Sequence, residues 1–214
     1  IDSPRLDLKP NPLYEKDELA LFKTHYYGGI KKYQWVTIPL SLHGVVVKKD
    51  GTVVDVCLGE DDKDPKFVIT DILPHLGADQ MSGTAAKIIE GEKLDLLIGN
   101  KPAKDVEKDP VKAAVEAILK EKYNIEEEDF ISAELEAVPA LKAKDVGLDK
   151  SLIGSYAHDD RICAYTSLRA FLEVTEPEKT SVCLLCDKEE IGSMGNTGMR
   201  SAFFEYTLAT IISK

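Results

Sequence analysis

Two acidic residues, Glu189 and Glu190, stand side by side between an apolar run, Ser181-Val-Cys-Leu-Leu-Cys186, and a glycine-rich stretch, Gly192-Ser-Met-Gly-Asn-Thr-Gly198. A second acidic pair, Asp159 and Asp160, closes the segment Ser151-Leu-Ile-Gly-Ser-Tyr-Ala-His-Asp-Asp160, and Asp2 stands at the head of the chain. Carboxylates gathered in one place repel one another and resist desolvation, so sharing a site costs free energy unless a cation joins them. A divalent metal is the partner such a cluster would serve. Each acid also has a plainer role. Asp159 or Asp160 suits the N-cap of a helix starting at 161, Glu189 and Glu190 suit a solvated loop, and Asp2-Ser3-Pro4 suits a turn. The histidines, His25, His43, His75 and His158, are scattered. Cys183 and Cys186 form a C-x-x-C, a spacing used in redox and zinc sites. With no second pair and no helix start after the first cysteine, both are expected to be buried packing residues. Spacing alone supports an α/β domain with an acidic cluster suited to a metal.

Elements that could position these acids follow from the hydrophobic pattern. In an α/β sheet, ligands collect at the carboxyl ends of strands. From about residue 150 the pattern predicts a short strand or loop, then a helix with Ile162, Tyr165, Leu168 and Leu172 inward. After a turn at Glu176-Pro177 come a strand over 181–186, the glycine loop, and a final helix ending near Ile212. Strand–helix–strand–helix is the order of a parallel α/β sheet. Residues 1–35 open with a proline-punctuated stretch suited to an extended loop, followed by a Gly28-Gly29 turn and the single tryptophan, Trp35. The middle reads differently. Val45–Val47 and Val53–Cys57 form a hairpin turning at Asp50-Gly51, and residues 59–66 form a charged loop. A helix opens at Asp109-Pro110, with Val111, Ala114, Val115, Ile118 and Leu119 on one face. Asp129–Ala140 alternates as a half-buried strand. The expected architecture is an α/β domain in two pieces, 1–35 and 150–214, interrupted by a β-rich module over 36–149.

A chain of 214 residues can bury a sizeable core. Its net charge of −11 argues against nucleic acid or an anionic membrane as the main partner. No run approaches the roughly 18 apolar residues of a membrane span. Four cysteines are too few and too scattered for a disulfide scaffold, so a reducing compartment and a cytoplasmic location are expected. With Ile1 rather than Met at its head, the natural N-terminus is expected to lie upstream.

Four stretches in order, IDSPRLDLKPNPLYE, YGGIKKYQW, HDDR and DKEEIGS, resemble the aspartyl aminopeptidase family, which also contains the vacuolar aminopeptidase. The resemblance covers essentially the whole chain. It implies a di-zinc metallopeptidase whose α/β catalytic domain carries an inserted β-rich dimerisation domain, here 36–149. Asp2 matches an aspartate that orients a zinc-binding histidine in a His-x-Asp motif, and that histidine would precede Ile1. Asp159 matches the carboxylate bridging two zincs, Glu189 the general base, and Glu190 a terminal zinc ligand. The family uses a further aspartate and histidine downstream, and Ile191–Lys214 contains neither. His75 lies where relatives present a histidine to a neighbouring subunit's site. The resemblance also implies peptide substrates, with acidic or neutral N-terminal residues preferred by different relatives. It implies dimers assembling to a homo-oligomeric dodecamer, and zinc that cobalt or manganese could replace. The 214 residues alone are expected to be inactive. Two alternatives stand beside this reading: a non-catalytic assembly or binding protein on the same fold, and another di-zinc exopeptidase or deacylase.

Overall fold

In a computed structural model describing residues 1–214, contacts divide the chain into two units. Arg5–Tyr26 and Ile30–Leu141 form one; Ile1–Pro4, Tyr27–Gly29 and Lys142–Lys214 form the other.

The first unit is built on a sheet. Strand β1 (Arg5–Lys16) is joined to β2 (Leu19–Tyr27) by Asp17 and Glu18, with φ of 50° and 60°. Two consecutive positive φ values are what a tight hairpin with right-handed strand twist requires. β3 (Leu40–Val47) and β4 (Val53–Leu58) form the hairpin expected from the valine pattern, with Val47 opposite Val53. A single turn of helix, α1 (Ala78–Met81), precedes β5 (Leu96–Gly99), α2 (Pro110–Tyr123) and β6 (Ala133–Pro139). The six strands lie in the order β4-β3-β6-β1-β2-β5. Leu6, Phe22, Leu40, Leu96, Leu135 and Ala137 are buried from five of them, and Phe22 meets Phe130 edge-on at 5.4 Å between centroids.

Helix α2 covers apolar surface with Val111 and Val115, whereas Ile118 on the expected inner face is exposed. Its start is not capped by Asp109, which has φ of 49° and makes no side-chain cap bond. Instead, Glu15 Oε2 accepts from the N–H groups of Val111 (2.8 Å) and Lys112 (2.9 Å). A carboxylate at this end meets both the unpaired donors and the positive pole of the helix.

The expected boundary at residue 35 is not where the contacts fall, because residues 5–26 and 30–35 belong with the sheet unit. Pro10 and Pro12 made the opening look like a loop. The segment is nevertheless a strand, and its pairing with β6 at Leu6 and Asp7 precedes the prolines.

The second unit contains an antiparallel pair, β7 (Lys144–Val146) and β8 (Leu152–Gly154), and two helices, α3 (His158–Leu172) and α4 (Ala202–Ile212). Both helices lie where the sequence predicts them. The chain as a whole is mixed α/β, as expected. The strand predicted over 181–186 does not form: Ser181–Cys186 has no regular structure, and a single parallel bridge joins Asp187 to Gly198. A strand needs a neighbour offering N–H and C=O groups along its length; no ladder pairs with this segment, and Ile1 donates to the Cys186 carbonyl at its end. Cys183 and Cys186 are accordingly half-buried rather than buried. The predicted inner face of α3 is also exposed, with Ile162 at 58% and Leu172 at 64%. No helix is long and apolar enough to cross a membrane.

Candidate functional site

Asp2 is the knot of the second unit. Its backbone carbonyl accepts from the Asp160 N–H at 3.2 Å. Next along the chain, Ser3 Oγ donates to the Asp159 carbonyl at 2.9 Å. These two bonds lace the N-terminal residues to the start of α3, where Asp159 leaves helical geometry (φ −86°, ψ 111°). Neither Asp159 nor Asp160 acts as a side-chain N-cap, since Ala157 holds that position.

The side chain of Asp2 reaches two further elements. Oδ1 accepts from the Glu190 N–H at 3.1 Å, and Oδ2 accepts from the Tyr27 hydroxyl. Glu189–Ile191 forms one tight helical turn, entered from Lys188 and left through Gly192, both with left-handed backbone. Around it the loop closes on itself. Ser193 N–H donates to the Lys188 carbonyl at 2.7 Å, and Thr197 Oγ1 donates to Asp187 Oδ2 at 2.9 Å. Lys188 Nζ pairs with Asp187 Oδ2 at 3.1 Å and lies 5.6 Å from the centre of the Tyr27 ring.

Glu190 rests on the Gly28-Gly29 turn. Gly28 has φ of +78°, and a Cβ there would lie 2.7 Å from Glu190 Oε2. Only glycine tolerates both that backbone and that contact. Burial pushes the Glu190 carboxyl above its ordinary pKa, and the charges of Asp159, Asp2 and Glu189 push it the same way; a hydrogen bond from Gly29 N–H opposes them. The three other carboxylates named from sequence therefore all act on Glu190. Asp2 and Glu190 are half-buried, and Asp159 and Glu189 are exposed. Glu189 also lines a shallow cleft of about 190 Å³ with Asp160, Cys163, Ser167, Leu184 and Cys186. His75 is not among them; it lies exposed in the sheet unit.

The cluster suits a divalent cation in charge, because a cation would relieve the repulsion that raises Glu190. It suits zinc only in part. Zinc takes three or four protein ligands, commonly with histidine or cysteine among them. No group of three or more His, Cys, Asp or Glu side chains here is arranged to hold a metal. Sequence reasoning assigned no role to Tyr27 or Gly28. The one available signal was an aromatic residue running directly into a Gly-Gly turn.

Comparison with known proteins places this chain in a family. The sequence profile of the aminopeptidase I zinc metalloproteases (M18) matches residues 1–214. A probable M18 family aminopeptidase 1 of Clostridium acetobutylicum is 62% identical over 214 residues, which are 100% of this chain and 46% of the relative. The crystal structure of the Thermotoga maritima M18 aminopeptidase superposes with a TM-score of 0.93 at 52% identity, covering 100% of this chain and 47% of that one. The crystal structure of C. acetobutylicum aminopeptidase I superposes with a TM-score of 0.90 at 61% identity, covering 100% and 47%. The chain thus spans about half the length of the curated relatives it matches. With its whole length matched, the chain belongs to the M18 family of zinc metallopeptidases.

Proposed function

We propose that the natural protein is an aminopeptidase that releases N-terminal residues from peptides, using a water activated between two zinc ions. The convergence of Asp2, Asp159, Glu189 and Glu190 in one unit of a zinc-peptidase chain carries this reading. Asp159 would bridge the ions and Glu190 would hold one of them. When bound, a metal pair would acidify water and polarise the peptide carbonyl. The chain's own residues do the rest. Glu189, exposed beside Glu190, takes the proton from water and delivers it to the leaving amine. Asp2 fixes the Glu189-Glu190 turn through the Glu190 N–H, and in the family pattern it also orients a zinc-binding imidazole. Cobalt and manganese suit the same oxygen and nitrogen donors.

The sheet unit would serve assembly into a homo-oligomer. Ile72, Leu73, Leu76 and Met81 are exposed around His75, a composition suited to a contact with a second copy.

Hydrolysis of aminoacyl chromogenic substrates by the zinc-loaded natural protein tests the reading. Turnover lost on chelation and restored by zinc is expected; turnover indifferent to chelation overturns it. The 214-residue polypeptide alone is expected to show no normal turnover, since no set of three or more ligands forms within it. That partial set is also what a non-catalytic assembly protein on this fold would show, and zinc binding without turnover by the natural protein would favour that second reading.

A further inference from the structure

We propose that Tyr27 is a positioning residue of this site, holding the Glu189-Glu190 turn in place through the Asp2 carboxylate. The inference rests on the reading above, in which Glu190 holds metal and Glu189 moves the proton.

The geometry is a relay of two hydrogen bonds. Tyr27 donates its hydroxyl proton to Asp2 Oδ2, and the other oxygen, Oδ1, accepts the Glu190 N–H at 3.1 Å. Each oxygen of the carboxylate is thus held by a different element: the end of β2 and the 189–191 turn. A carboxylate bound at one oxygen alone can rotate about its Cβ–Cγ bond; one bound at both is fixed. Tyr27 is itself fixed, being 7% exposed and stacked beneath the Lys188 ammonium, one residue before Glu189. The next residue, Gly28, carries the Glu190 side chain against its Cα. Residues 27 and 28 therefore hold Glu190 from two directions, by backbone through Asp2 and by side chain through direct contact. Tyr27 reaches the 189–191 turn through Asp2, whose carboxylate oxygens it and the Glu190 N–H share.

A double-mutant cycle on the natural protein tests this. Tyr27→Phe keeps the ring and removes the donor; Asp2→Asn keeps the shape and removes the charged acceptor. Each single variant is expected to weaken zinc binding, measured by competition with a chromogenic chelator, by about tenfold, the low end of the cost for an outer-shell partner. Each is also expected to lower kcat with KM little changed, because the substrate-binding surface is untouched. Adding Tyr27→Phe to Asp2→Asn should then change neither quantity further. Additive losses would mean that Tyr27 acts on its own, by packing alone, and would overturn the proposal; so would a Tyr27→Phe protein with wild-type zinc affinity and kcat. Failure of the functional reading is distinguishable from failure of this one. A wild-type protein that binds zinc without peptidase turnover defeats the former, while non-additive zinc affinities in the cycle still sustain the latter. A wild-type protein that binds no zinc defeats both.

Discussion

Glu189 and Glu190 follow one another in the chain yet meet different surroundings. Glu190 is half-buried against Gly28, its N–H is taken by Asp2, and its carboxyl is raised by burial and by three neighbouring acids. Glu189 is exposed at the edge of a cleft. A group that carries protons must reach water, and a group that holds metal must be fixed, so the two exposures suit the division of labour proposed above. Glu189→Gln is accordingly expected to lower kcat by about 10²–10⁴-fold while zinc stoichiometry is unchanged. Metal analysis beside steady-state kinetics checks both halves, and a loss of zinc would reverse the assignment. The Gly-Gly turn offers a sharper contrast. Gly28→Ala places a Cβ 2.7 Å from Glu190 Oε2 on a backbone at φ +78°, where an L-residue costs about 1–2 kcal/mol. Gly29→Ala meets nothing within 4 Å. The first variant is expected to lose zinc affinity by about tenfold or more, and the second to stay near wild type; equal effects would show that the turn matters only for its flexibility.

At the scale of elements, what could be read from sequence was what is decided locally. The β3–β4 hairpin follows from valines flanking Asp50-Gly51, and α2 follows from Pro110 with Val111 and Val115 one turn apart. The strand over 181–186 and the inner face of α3 were read from apolarity alone. Apolarity says that a surface should be covered, but not which segment covers it. The four acids were legible by type and order, whereas Tyr27 and Gly28 were not, because their contacts with Asp2 and Glu190 span 25 and 162 residues. The cap of α2 was hidden for the same reason, lying 96 residues away in β1. Glu15→Ala leaves two helix N–H groups without that acceptor and is expected to destabilise the sheet unit by about 1 kcal/mol. Urea unfolding of the 214-residue polypeptide followed by Trp35, its single and buried tryptophan, measures this. A second test uses pH. The Ser41 hydroxyl, at 3.0 Å, holds the Glu60 carboxyl below its ordinary pKa against the opposing effect of burial, and His43 assists. A lowered folded-state pKa contributes stability above the ordinary carboxylate value and loses it as pH falls through the lowered one. Glu60→Gln should therefore lower the Trp35 unfolding midpoint at neutral pH, and the difference should fade as pH falls below the ordinary carboxylate range. A difference that grew toward acid would reverse the sign assigned to Glu60.

On the scale of the whole chain, apolar burial is unequally shared. In the sheet unit, side chains from all six strands and from α2 are buried. In the other unit, the buried apolar side chains are Tyr27 and Ala157, while α4 exposes Phe203 (69%), Tyr206 (73%) and Ile212 (76%). Buried apolar area is the main favourable contribution to folding, at about 25 cal/mol per Å². A unit that buries so little should open locally at low free-energy cost, whatever the stability of its neighbour in sequence. Hydrogen exchange on the 214-residue polypeptide is expected to show slow amides in β3 and β6, which pair over seven residues from Leu40 to Val46. Fast amides are expected across α3, α4 and the 181–201 segment. The same polypeptide should bind a hydrophobic dye, because the apolar side chains of α4 lie exposed. The natural protein supplies the control. If its α3 and α4 amides exchange slowly and it leaves the dye unbound, these helices are covered there, and the exposed faces mark where this unit is completed. Equal exchange in both proteins would mean that α3 and α4 are mobile in the natural protein, and that Asp2, Tyr27 and Gly28 hold the acidic cluster without a packed core behind it.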